Sequence, residues 1–239
     1  MPSEPVKIFS FSGIDGAGKS TQIEELIQYL EGLGLRVRIF TFWDDVVVLS
    51  GLRERMSLSV FRGDRGVGSP DRPIVRRDKN VTSPFVIAFR LMLYGLDALS
   101  LSKTAYGAGN NDADVIIFDR YIYDELANLP LKYRLIRFYV RFLLALTPKP
   151  DFGFLVDADP EAACARKPEY PLEFVRCNRD AYLRIARVAG MTVLPPSEIS
   201  QTQLRIRSLV SSLIGAQKDS ATLPLECSAP AESAQSTSS

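Results

Sequence analysis

Apolar and polar positions along the chain switch repeatedly between a strand-like and a helix-like period. Residues 6–11 are a short apolar run that stops at Ser12-Gly13 and reads as a buried strand. Residues 19–31 then place Ile23, Leu26, Ile27 and Leu30 on one helical face, and Gly32 and Gly34 end that helix. Residues 36–42 read as a second strand. A strand, a helix and a strand in this order predict a right-handed crossover and a parallel pair. Pro84 opens a long apolar helix to about residue 103, followed by a loop over 106–112 and a β-branched strand over 114–118. The pattern continues with a helix over 131–146, a strand over 151–156 and a helix with Pro160 at its favoured first position. A helix over 172–189, a strand over 191–194 and a helix over 200–214 complete it, with no internal repeat.

This alternation predicts an α/β domain over residues 1–215, with a parallel sheet of about five strands between helical layers. Three stretches fall outside it. Residues 43–56 show no clear period. Residues 61–83 are rich in Gly, Pro, Asp and Arg and read as a surface excursion. Residues 216–239 are rich in Ser, Ala, Pro and Gln, and are expected to form a disordered tail.

Composition narrows the chemistry. Lys and Arg total 29 against 28 acids, which argues against a general nucleic-acid binder. The most apolar later stretch, residues 138–146, holds Arg141 and is far short of a membrane span. The first residues carry no secretory pattern, so a cytoplasmic setting is expected. Cys164, Cys177 and Cys227 form no CxxC pair, which leaves no disulfide framework or zinc motif. With no histidine at all, catalysis must run on Asp, Glu, Lys, Arg or backbone donors.

In a doubly wound sheet, ligands sit beyond the carboxyl ends of the strands. Directly after the first predicted strand comes Gly13-Ile14-Asp15-Gly16-Ala17-Gly18-Lys19-Ser20-Thr21, which fits G-x-x-x-x-G-K-[ST]. The glycines let backbone N–H groups turn inward around phosphate oxygens, and the helix that follows adds the positive end of its dipole. In such a loop Lys19 reaches the β- and γ-phosphates of ATP, and the Ser20 hydroxyl ligates Mg²⁺. A chance glycine turn is the bland alternative, but the string follows a strand and opens a helix as the motif demands. The strand over 114–118 runs into Asp119-Arg120-Tyr121. An Asp at such a tip can hold Mg²⁺, and Arg120 can bridge transferring phosphoryl oxygens; a surface salt bridge at a strand end is the competing reading.

With these motifs in place, the chain resembles the thymidylate kinases, a branch of the P-loop nucleoside monophosphate kinases. GIDGAGKSTQ (13–22) and FDRYIYDELA (118–127) are similar to the family's two signature segments. DADPEAACAR (157–166) resembles the piece that leads into the family's lid, and RDAYLRIA (179–186) the helix after it. The resemblance spans about residues 6–215. It implies a three-layer P-loop NTPase fold, ATP and Mg²⁺, phosphoryl transfer to dTMP, and a homodimer. Carried over by position, it implies donor roles for Lys19 and Ser20 and catalytic roles for Asp119 and Arg120. It also implies an acceptor-hydroxyl contact for Asp15 and a place near the donor nucleotide for Arg166.

Three acceptor-side positions depart from the family. Its Arg-Glu-Pro-Gly after the second strand is replaced by Phe42-Trp43-Asp44-Asp45. Its Asp-Arg pair on the long helix is Asp97-Ala98 here. Its Ser and Ala-Tyr-Gln after Asp-Arg-Tyr are Asp124 and Ala127-Asn128-Leu129. Arg53, Arg55 or Arg90 are candidates to replace the missing arginines, against the ordinary fate of a surface Arg. Trp43 either stacks on an acceptor base or fills core, and both readings stay open. Two other functions remain in view. One is a kinase for a nucleoside or a sugar. The other is a non-catalytic nucleotide-binding regulator, although no N-K-x-D guanine motif occurs and Asp78-Lys79-Asn80 does not match it.

Overall fold

The computed structural model describes residues 6–48, 84–109 and 113–221. Five strands form one parallel sheet: β1 (Lys7–Ser12), β2 (Val37–Thr41), β3 (Val115–Asp119), β4 (Phe152–Val156) and β5 (Thr192–Leu194), in the order β2-β3-β1-β4-β5. The first strand is therefore central. Phe9 pairs in register with Ile117 on one side and Phe152 on the other. β1 leads out to the β2 edge, whereas its neighbour β3 leads across to β4. Adjacent strands leave in opposite directions, and the carboxyl ends of β1 and β3 mark the place where such sheets bind ligands.

Strand alternation divides the core. Phe9 and Phe11 face one helical layer, α1 (Lys19–Gly32) and the last helix, α7 (Ile199–Ala221), packing with Ile23, Leu26, Leu30, Ile206 and Val210. Ser10 and Ser12, both fully buried, face the other layer. That layer is α2 (Pro84–Gly109), α3 (Ile122–Leu126), α4 (Arg134–Leu146), α5 (Pro160–Arg166) and α6 (Leu172–Ala189). Its core includes Ala98, Leu101, Phe118, Tyr121 and Tyr182.

The predicted elements are present, with shifts at their ends. The helix expected to stop near residue 103 runs to Gly109, because Ala105 and Ala108 are small enough to pack into the core at residues expected to be loop. The helix predicted over 200–214 spans Ile199–Ala221, six residues into the segment expected as a tail. The rest of that tail and the 61–83 excursion lie outside the described residues, as do Arg53 and Arg55. The aperiodic stretch begins with one π-helical turn, Phe42–Val46, in which Asp45 accepts from the backbone N–H of Thr41 at 2.6 Å. Among the described residues, no helix is long and apolar enough to cross a membrane.

Candidate functional site: a phosphate loop with a clamped arginine

The loop between β1 and α1 needs its glycines for two separate reasons. Gly13, Gly16 and Gly18 have positive φ values of 145°, 80° and 88°. A Cβ on Gly13 would also lie 2.4 Å from the carbonyl oxygen of Val156, and one on Gly16 2.4 Å from that of Ala163. The loop is thus wedged against the end of β4 and against α5. Gly18 begins α1 with no side-chain cap, so the first N–H groups of that helix are open to an anion.

Lys19 is buried, 7% exposed, and its Nζ donates to the carbonyl oxygens of Gly13 and Ile14, both at 2.9 Å. Burial, reinforced by the nearby Arg120 cation, pulls its pKa down to about 8, against the pull of Asp15, Asp124 and Asp119. The expected phosphate-binding ammonium is therefore folded into its own loop. Ser20 and Thr21 stand exposed on the first turn of α1. Ala17 closes the turn through its N–H to Ile14 O at 3.2 Å.

Across from the loop, the β3 tip delivers Asp119 and Arg120 beside β1, with Asp119 in register with Phe11. Asp119 is half-buried, and no hydrogen bond or ion pair involves its carboxylate among the described residues. Arg120 takes a left-handed backbone, φ 68°, its N–H held by Phe11 O at 2.9 Å. Such a conformation costs a non-glycine residue about 1–2 kcal/mol and persists where the surroundings over-determine it.

The guanidinium lies between two carboxylates. Nη2 donates to Asp15 Oδ1, and Nη1 donates to Asp124 Oδ1 at 3.1 Å. Asp124 also accepts from Tyr182 OH at 2.6 Å, from Ser12 Oγ at 2.6 Å and from Tyr121 N at 3.1 Å. Burial raises the Asp15 pKa, but Arg120 and Lys19 outweigh it and hold the carboxyl below its ordinary value. Burial likewise disfavours charge on Arg120, yet Asp124 and its neighbours raise its pKa, so it stays a cation.

The structure brings Gly13, Asp15, Gly16, Ala17, Gly18, Lys19, Ser20, Thr21, Asp119 and Arg120 to one place. Arg166 ends α5 beside the loop, but its Nε turns back to Ala162 O at 3.2 Å and it is exposed. The cation from this segment that bears on Asp15 is Lys167. Trp43 is 41% exposed, edge-on to Phe42 at 5.9 Å, so the core-filling alternative falls. Asp97, fully buried, accepts from Val48 N at 2.9 Å and so holds α2 to the segment after β2.

Ser12, Asp124 and Tyr182 were not singled out as site residues from sequence. A signal existed for two of them. Ser10 and Ser12 alternate with phenylalanines in a strand buried on both faces, and Asp124 forms, with Glu125, an acidic pair in an otherwise apolar stretch. Neither names its partner.

A preformed phosphate loop at the switch point of a β2-β3-β1-β4-β5 parallel sheet defines a P-loop NTPase fold. No family model matches the chain. The probable thymidylate kinase of Methanosphaera stadtmanae is 23% identical over 201 residues, covering 81% of this chain and 92% of that protein. The thymidylate kinase of Prochlorococcus marinus is 26% identical over 211 residues, covering 82% and 91%. The crystal structure of the thymidylate kinase from Ehrlichia chaffeensis superposes with a TM-score of 0.52 at 18% identity, covering 86% of this chain and 99% of that one. The chain is a divergent relative of the thymidylate kinases, similar to them over nearly their whole length.

Proposed function

We propose that this protein is an ATP-dependent kinase that converts dTMP to dTDP. The observation that carries the reading is the convergence of Lys19 and Arg120, two buried or half-buried cations, on an uncapped helix N-terminus at the sheet's switch point. That arrangement suits a group of spread negative charge and little else. The similarity to thymidylate kinases supports dTMP as the acceptor.

In this reading Lys19 swings from its carbonyl partners onto the β- and γ-phosphates, and the 13–21 loop cradles them. Arg120 binds the transferring phosphoryl oxygens, and Asp15 accepts a hydrogen bond from an acceptor hydroxyl. Trp43 offers its exposed face to the acceptor base, and Arg166 lies towards the donor nucleotide. The donor set fits Mg²⁺ held largely by nucleotide phosphates. Asp119 is a half-buried carboxylate without a hydrogen bond among the described residues and Ser20 an exposed hydroxyl, while no group of three or more metal-ligating side chains gathers among those residues. Such an ion neutralises charge building on the phosphates.

A bond forms from an acceptor phosphate oxygen to the γ-phosphorus as the bond from that phosphorus to the β–γ bridging oxygen breaks. The electron pair leaves with ADP. An ionised phosphate brings no proton to remove, which suits a chain without histidine. We further place the enzyme in the cytoplasm as a homodimer. The apolar side chains that α2 and α4 leave exposed, Met92 and Leu99 with Leu135 and Phe138, support the second copy.

One observation favours a different acceptor, a nucleoside or a sugar. Where the family resemblance implies an arginine for the acceptor phosphate, the β2 end presents Trp43, Asp44 and Asp45, all exposed. ADP release from the purified protein, with dTMP, other monophosphates, nucleosides and sugars in turn, decides between the acceptors. Turnover with dTMP far above the rest is expected. Turnover with none would overturn the kinase reading.

A further inference from the structure

We propose that Asp124 is a positioning residue for Arg120, and that through Tyr182 it ties the stance of that arginine to helix α6. The proposal rests on the phosphoryl-transfer reading and deepens it, adding a residue that the family resemblance places at a serine position.

Asp124 has no capacity left for a substrate. A carboxylate offers about four lone-pair sites, and here four donors occupy them. Arg120 Nη1 and Tyr182 OH take Oδ1, while Ser12 Oγ and Tyr121 N take Oδ2. The side chain is 2% exposed. Apart from Arg120 itself, its donors come from β1, α6 and the start of its own helix α3, and together they fix the carboxylate. Anything it contributes to catalysis passes through the groups it holds, and Arg120 is the one that faces the phosphate loop.

Nη1 of Arg120 also donates to Tyr182 OH at 3.4 Å, so the tyrosine touches the guanidinium as well as Asp124. The two carboxylate partners of Arg120 are unequal. The Asp15 side chain is 28% exposed against 2% for Asp124. The Asp15 end of the guanidinium is therefore the end an incoming anion can take over, while Nη1 stays on Asp124. The left-handed backbone at Arg120 and the bond from its N–H to Phe11 O fix the root of the side chain as Asp124 fixes its head. Without the Asp124 charge, the arginine would lean on Asp15 and leave its transfer position. Tyr182, buried and bonded to the same oxygen, belongs to the helix that follows the 167–171 segment. A shift of α6 therefore moves the oxygen on which Arg120 rests.

The test uses Asp124→Asn and Tyr182→Phe in the full chain. With ATP and the best acceptor, Asp124→Asn should lower kcat about 100-fold, the scale of a misplaced catalytic group. Tyr182→Phe should lower it about tenfold, the scale of one charge-assisted hydrogen bond. The Kd of Mg·ATP, measured by calorimetry without acceptor, should change less than about threefold in both. In an Arg120→Ala background, assayed with labelled ATP, adding Asp124→Asn should have no further effect on kcat. Wild-type kcat in Asp124→Asn overturns the proposal, as does an equal loss in the Arg120→Ala background. If Asp124→Asn does not fold, an unchanged kcat in Tyr182→Phe overturns it. If the wild type phosphorylates no acceptor, the kinase reading fails separately. The clamp is then read from the Arg120 guanidinium proton signals, restrained in the wild type and released in Asp124→Asn. Signals equally restrained in both would overturn it.

Discussion

Neighbouring strands end very differently in this molecule. At the tips of β1 and β3 the chain is locked, with glycines wedged against Val156 and Ala163, Lys19 folded into its loop and Arg120 held between two carboxylates. At the tip of β2, one strand away, Trp43, Asp44 and Asp45 are exposed on a single turn, closed by the bonds from Thr41 N–H to Asp45 and from Val47 N–H to Phe42 O. The contrast follows from what each end is suited to hold. A phosphate loop works through backbone N–H groups, and its geometry admits few residues. An acceptor pocket works through side chains at strand ends, where one set can replace another without disturbing the sheet. The donor half of the signature is accordingly intact and the β2 end rewritten.

Four experiments can break or sharpen that contrast. Lys19→Ala should have the largest effect. Loss of the charge clamp on the transferring group should cut turnover on the order of 10³-fold or more, with the circular dichroism of the fold retained. Near-normal ADP release in the purified variant would remove the loop from the chemistry. Asp15→Asn keeps the size of the side chain but removes the charge that Arg120 and a substrate hydroxyl would share. It should raise acceptor KM roughly ten- to a hundredfold and leave ATP KM nearly unchanged. A change confined to ATP would assign Asp15 to the donor side.

At the β2 tip, Trp43→Ala should change the melting temperature little, because the indole lies outside the buried core and is 41% exposed. It should raise acceptor KM about tenfold if the indole stacks on a base. Removal of residues 222–239 should have the smallest effect, with turnover and melting temperature as in the full chain. A clear drop in either would give the tail a structural role.

Most of the scaffold was legible because it is local. The apolar run of β1, the β-branched run of β3 and the one-sided face of α1 each announce themselves within a few residues, and the glycine spacing names the loop. The last helix and α2 ran longer than predicted, and in α2 the residues read as loop from 106 onward continue the helix, with Ala105 and Ala108 packed into the core. The Arg120 clamp was not legible for a different reason. Ser12 and Asp124 are 112 positions apart and Tyr182 lies 58 beyond Asp124, so only the folded sheet brings them together. Helix α3 is five residues long, too short to show a period. For Trp43 the local sequence suits either reading, and only the fold separates them by leaving the indole exposed at the end of β2.

The central place of β1 also shapes how the chain is made. Its pairing partners are synthesised late: Lys7 waits for Val115, and Phe9 for Phe152, some 140 residues downstream. At about 5–20 residues per second, the strand spends roughly 7–30 s on the ribosome before both of its edges can be filled. Until β3 is made Phe9 and Phe11, fully enclosed in the finished fold, have no neighbouring strand to pair with, and until β4 is made one edge of β1 stays open. The segment that anchors the phosphate loop is thus the first strand translated and among the last to be completed. The nascent chain should depend on chaperones that shield aromatic segments, and newly made protein should gain nucleotide binding only after β4 has emerged.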